Sequence, residues 1–148
     1  MSRLNLSQAT AAIEAALACA REHKFRRMSV AVLDAGGHLI AVQRDDGASY
    51  LRCDIAYAKA WGALGMGMGS RGLLQLFEKL PAFVTALGPV SQGRLVPAPG
   101  GVLIADGDGE ILGAIGLSGD TSDNDEVCAL AAIKAIGLVA IPGRPDEG

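Results

Sequence analysis

Two strand–turn–strand blocks punctuated by glycine constrain this chain more than any other feature. Residues 28–34 (MSVAVLD) and 38–44 (HLIAVQR) are short runs rich in β-formers, separated by Ala35, Gly36 and Gly37. Residues 101–106 (GVLIAD) and 110–117 (EILGAIGL) repeat the device around Gly107, Asp108 and Gly109. A tight hairpin needs positive φ, which glycine supplies without steric cost, so each block is expected to form an antiparallel pair.

Segments with helical spacing flank both blocks. Leu6, Ala9, Ile13, Ala16, Leu17 and Ala20 mark a helix over 6–23, and Asn5 with Gln8 has the form of a capping box. A second helix is expected over 50–66 and a third over 71–80, with Ser70 as its cap. The last is expected over 121–138, capped by Thr121 or Ser122, with Asp123, Asp125 and Glu126 at its positive end. Residues 81–99 hold four of the six prolines and little periodicity. They read as a long surface connection with room for one short helical turn. The tail 142–148 is expected to fray. The order α-β-β-α-α-β-β-α implies an α+β domain, an antiparallel sheet with helices packed on it.

Composition sets the limits. The chain has 148 residues, half of them apolar and 20% charged, which suits a single domain over 1–148 with one core. Aromatics are only 4%, so the core is built from Ala, Val, Leu and Ile, which lets helices come close to a sheet. The net charge is -3, and Lys24, Arg26 and Arg27 form the one short basic cluster, which argues against nucleic acid as a partner. No stretch of about 20 apolar residues exists to span a membrane. Glu14 interrupts the N-terminal apolar run, which reads as an amphipathic helix rather than an export signal, so a cytoplasmic protein is expected. Cys19, Cys53 and Cys128 are odd in number and form no CxxC pair; they read as small buried hydrophobes. The two histidines lack zinc-ligand spacing.

Several residues carry chemistry. His38 follows the Gly-Gly turn, and strand alternation would put it on one face with Ile40, Val42 and Arg44. Its imidazole could ligate haem iron or act as a base; the plainer reading is a strand-edge histidine bonded to solvent or a turn carbonyl. His23, at a helix C-terminus, suits the helix dipole. The loop from Arg44 through Asp45, Asp46, Gly47, Ala48 and Ser49 to Tyr50 puts a cation, two carboxylates, a hydroxyl and a phenol in one place. Ser49 either meets a ligand there or caps the helix. Arg52 and Lys59, two helical turns apart, share a face with Ala56 and Ala63 and are candidates to hold a carboxylate. The alternative for Lys59 is to snorkel to solvent. Gly100 and Gly101 would let main-chain N–H groups approach a carboxylate, or simply turn the chain.

Three strings, MSVAVLDAGGHLIAVQRDDGA, DIAYAKAW and PGGVLIADGDGEILGAIGLSGDTSDNDEVCALAAI, stand in order and at similar spacing to those of the GlcG/HbpS family, which includes the C-terminal domain of PduO-type proteins. The chain resembles that family over about residues 4 to 138, most weakly over 66–96, and Asp54 and Lys59 stand at matching positions. The resemblance implies a profilin-like fold, assembly into dimers to octamers, and binding of haem or corrinoid-related ligands in some members.

Three functional readings follow. The first is a small-ligand-binding protein for haem or another planar, carboxylate-bearing molecule. His38 would be its metal ligand, and Arg44, Arg52 and Lys59 its carboxylate partners. The alternative is a cofactor-free lyase or isomerase acting on a small carboxylate, with His38, Asp46 or Asp54 moving the proton. The third is an assembly module with no ligand of its own, and a homo-oligomer is expected under all three.

Overall fold

The computed structural model describes residues 3–145. Ten elements follow in the order α1 (Leu6–Glu22), β1 (Ser29–Asp34), β2 (Leu39–Arg44), α2 (Leu51–Met66), α3 (Ser70–Lys79), α4 (Pro81–Val90), β3 (Gly101–Ala105), β4 (Ile111–Ser118), α5 (Ser122–Ala135) and β5 (Val139–Ile141). The strands form one antiparallel sheet in the order β2-β1-β4-β3-β5. The expected α+β architecture is present, with both glycine-turned hairpins.

Alternation along the central strands sorts their side chains onto two faces. Val30 and Val32 of β1, Val102 and Ile104 of β3, and Ile115 and Leu117 of β4 join the buried faces of α1 and α5. Ala31, Leu33, Leu103 and Ala114 face α2 through Ala56, Ala60 and Ala63. This second interface is made of small residues because α2 lies almost on the strands. A Cβ at Gly116 would sit 1.9 Å from the Ala56 carbonyl oxygen, and one at Gly101 would sit 2.2 Å from that of Lys59.

Helix ends follow the local chemistry. The Asn5–Gln8 capping box is formed in both directions, at 2.8 and 3.0 Å. Thr121 caps α5 by accepting from the Asn124 N–H. Ser70 does not cap α3: Gly69 holds that position, and Ser70 is buried. Its Oγ accepts from the Gly101 N–H at 2.7 Å and donates to the Gly101 carbonyl, tying α3 to the start of β3. No helix among the described residues is long and apolar enough to cross a membrane.

The structure differs from expectation in three places. Residues 81–90 form a ten-residue helix rather than a loop with one turn. Pro81 sits in the first turn, where its missing N–H costs nothing, and Pro89 lies in the last turn, just before the chain leaves the helix. The last helix stops at Ala135, Gly137 takes φ 73°, and residues 139–141 pair with β3 as β5. Beyond it, the Pro142 and Gly143 carbonyls accept from Arg71 and Gly69 instead of fraying; residues 146–148 of the expected tail lie outside the described residues.

Third, the β1–β2 register slips at Ile40: Val32 faces Ala41, but Leu33 faces Leu39. The slip breaks the alternation expected for β2. Ile40 and Ala41 both pack toward the α1 side, while Val42 and Arg44 stand opposite Ala31 and Ser29. His38, Ile40, Val42 and Arg44 therefore do not share one face.

Candidate functional site: two clefts at opposite ends of the sheet

Both hairpin turns lie at one end of the sheet, and the N-termini of α2 and α5 lie at the other. In the β1–β2 turn, Gly37 takes φ 82°, and Asp34 closes the loop. Asp34 Oδ1 accepts from the Gly36 and His38 main-chain N–H groups, both at 3.0 Å, and stands 3.3 Å from His38 Nδ1. Partial burial alone would raise the Asp34 carboxyl, but the His38 and Gly36 N–H groups and the imidazole hold it below its ordinary value. The side chain is thus a carboxylate at neutral pH, and it favours the imidazole tautomer with the proton on Nδ1. Nε2 is left as the lone-pair nitrogen, the arrangement usual for a metal-binding histidine.

His38 itself precedes β2 rather than opening it, and its side chain is 82% exposed. The cleft around it holds about 420 Å³ and combines an apolar floor (Leu4, Ile40, Ile111, Leu112) with Arg3, Asp34 and Glu110.

The opposite end gathers Arg26, Arg27, Ser49, Arg52 and Gly119 around a cleft of about 430 Å³. Arg52 donates to Ser118 Oγ at 3.1 Å. Asp45 accepts from Arg21 and Arg27, at 3.3 and 3.4 Å. Asp120 Oδ2 accepts from the Arg26 N–H at 2.7 Å, and Oδ1 from the Thr121 N–H and the Asn124 amide. These donors bring its pKa down to about 2. Ser49 makes no helix cap: Tyr50 holds that position without a side-chain bond.

The residues singled out in sequence divide between these ends. His38 lies at the turn end, and Ser49 and Arg52 at the other, where Ser29, Arg44 and Ser118 are in register. β1 separates the ends by five residue steps, roughly 17 Å at about 3.4 Å each. His38 therefore does not share a cleft with Arg44 or Arg52. Lys59 does not snorkel to solvent. It is 3% exposed, and Nζ donates to Asp125 Oδ2 at 3.1 Å and to the Leu117 carbonyl at 3.0 Å. Burial pushes Lys59 down and Asp125 up in pKa, and each partner opposes the other's shift.

Gly100 and Gly101 are engaged by the same packing. A Cβ on Gly100 would sit 2.9 Å from Lys59 Nζ, and the Gly101 N–H is bonded to Ser70. Asp46 and Asp54 are exposed and line neither cleft. His23 is structural: Nδ1 lies 2.9 Å from the Cys19 carbonyl, and the ring stacks on Phe25.

Sequence reasoning missed two features. Arg3 lies at the chain's start, with no pattern to connect it to His38. Arg71 clamps α3 to α5 by donating to Asp123 at 2.6 Å and Glu126 at 3.0 Å, so these two acids do more than complement a helix end.

Comparison with known proteins places this geometry among relatives. A curated relative from Citrobacter freundii, described as an uncharacterized 15.0 kDa protein in the dhaT-dhaS intergenic region, is 31% identical over 102 residues, 69% of this chain and 70% of its own. Among solved structures, the PduOC:heme complex is 26% identical, with a TM-score of 0.84, over 93% of this chain and 98% of its own. The Klebsiella pneumoniae protein ORFY is likewise 26% identical, with a TM-score of 0.82, over 94% of both chains. The family model described as haem degrading protein HbpS-like matches residues 4–134, so this chain belongs to the HbpS-like family.

Proposed function

We propose that this protein binds haem, or a closely related planar metal macrocycle, in the His38 cleft, where His38 Nε2 would hold the metal. The observation that carries the reading is the Asp34–His38 pair, which presents an exposed imidazole beside an apolar floor. A porphyrin-like ligand needs both an axial nitrogen and apolar surface for its ring. Leu4, Ile40, Ile111 and Leu112 supply the surface, and Arg3 supplies a cation for a peripheral carboxylate. Haem, when bound, brings an iron centre capable of redox and diatomic-ligand chemistry. This chain's own contribution is to fix the tautomer of the ligating ring through Asp34 and to shield one face of the macrocycle. Support also comes from the haem complex of PduOC and from the family's description.

The protein is further read as a homo-oligomer. Leu80, Phe83 and Val90 around α4 are 52%, 51% and 76% exposed, an apolar surface suited to a second copy. The test of the main reading is a hemin titration of the apo protein followed by absorbance. A saturable Soret shift that His38→Ala abolishes is expected. No saturable shift, or one unchanged in the variant, overturns the assignment.

A further inference from the structure

We infer that the arginine-lined cleft at the far end of the sheet is a second ligand site, one that takes a small organic acid or phosphate through its oxyanion. Charge makes the first argument. Arg26, Arg27 and Arg52 line this cleft, and Arg21 and Lys24 line the one adjoining it, which shares Arg26 and Arg27. Among the described residues these five cations form ion pairs with Asp45 and Asp120 alone, in a chain whose net charge is -3. Such a concentration on an acidic protein focuses a positive potential on a concave surface.

Arg52 adds to this. The residue is half-buried, and its side-chain partner is a neutral hydroxyl, Ser118 Oγ. No carboxylate lies within ion-pair distance of it among the described residues. The field of Asp125 reaches it, but that carboxylate is already bonded to Lys59 and to the Asp120 N–H. A partly desolvated cation with no carboxylate in contact gains from an anion that completes it. A guanidinium fork matches a carboxylate or phosphate in two parallel hydrogen bonds.

The second argument is the supply of neutral donors beside it. The Ser49 hydroxyl and main-chain N–H have no protein partner among the described residues. Gly47, at φ 87°, turns the chain so that its backbone lies against the Arg27 stem, 3.6 Å from Cγ to a Cβ built there. Ser49 stands just before α2, so the helix's positive end adds to the same field. The lining is polar or glycine apart from Phe25 and Ala48, unlike the apolar floor at His38. The two clefts therefore suit different ligands, and the inference does not rest on haem binding.

Calorimetric titration of the full chain with succinate, and separately with inorganic phosphate, at low ionic strength tests it. At least one probe should bind saturably, and Arg52→Gln and Arg26→Gln should each weaken that binding about tenfold or more. Succinate alone saturating identifies a carboxylate ligand, and phosphate alone a phosphorylated one. His38→Ala should leave both affinities unchanged, which separates this site from the haem reading. Arg26, whose side chain is 71% exposed, carries the test if the Arg52 variant fails to fold. The inference is overturned if neither probe saturates by about 10 mM, or if folded Arg26→Gln binds like wild type.

Discussion

Replacing Lys59 with Met should be among the most damaging single changes in this protein. Lys59 and Asp125 are 66 positions apart in sequence, 3% and 1% exposed, and 3.1 Å from each other. The ammonium also donates to the Leu117 carbonyl, and Asp125 Oδ1 accepts from the Asp120 N–H at 3.0 Å. The pair thus locks α2, the end of β4 and the start of α5 together. Removing the ammonium leaves a buried carboxylate with one main-chain donor. Stranding one partner of a buried pair costs about 3–5 kcal/mol. For a domain of this size that corresponds to a fall in Tm of roughly 10 °C.

Lys59→Met/Asp125→Leu removes both charges, and should recover at least about 2 kcal/mol relative to the sum of the single changes. The assay is urea unfolding at pH 7 by far-ultraviolet circular dichroism on all four proteins, with stability compared at constant m-value. Single-variant losses below about 1 kcal/mol, or strict additivity, would refute the claim that this pair is a buried, coupled ion pair.

Other consequences are as specific. Gly116→Ala drives a methyl into the Ala56 carbonyl, and should cost about 1–3 kcal/mol or more by forcing α2 off the sheet; wild-type thermal stability would contradict the close packing. Asp120 has its pKa lowered to about 2 from 3.8, so the stability it contributes is full above pH 4 and is lost as pH falls toward 2. Asp120→Asn should lower Tm at pH 7 and flatten the decline between pH 4 and 2, as read from melts across that range; an unchanged acid limb would count against the three-donor arrangement. Gly36→Ala would bring a Cβ within 2.9 Å of His38 Nδ1, displacing the ring. It should weaken hemin binding several-fold with little change in Tm, and equal affinity would argue against a fixed imidazole.

The hairpins were readable because glycine turns and period-two patterns are local signals. The capping box at Asn5 and the Thr121 cap were readable for the same reason: their partners are three residues away. What escaped depends on long-range packing. β5 is only three residues long and becomes a strand by pairing with β3. Pro81 and Pro89 suggested a loop, yet Pro81 occupies the first turn, which tolerates proline, and Pro89 falls in the last turn, where it forfeits one hydrogen bond at the helix end. The slip at Ile40 is invisible without the partner strand, and it parts His38 and Ile40, which line one cleft, from Val42 and Arg44. His38 and Arg52 are 14 positions apart, yet the β2 strand between them carries the chain from one end of the sheet to the other. Lys59 read equally well as a ligand contact or a surface residue; only α5, folding back across the strand ends, makes it a buried ion pair.

Whether His38 would hold the iron of a bound macrocycle is read from electron paramagnetic resonance of the ferric hemin complex. The chain has only two histidines, so His38→Ala and His23→Ala together cover every imidazole. A histidine-ligated ferric signal is expected in wild type and in His23→Ala, with its loss in His38→Ala. A histidine-ligated signal that survives in His38→Ala, or that is absent from the wild-type complex, would contradict it.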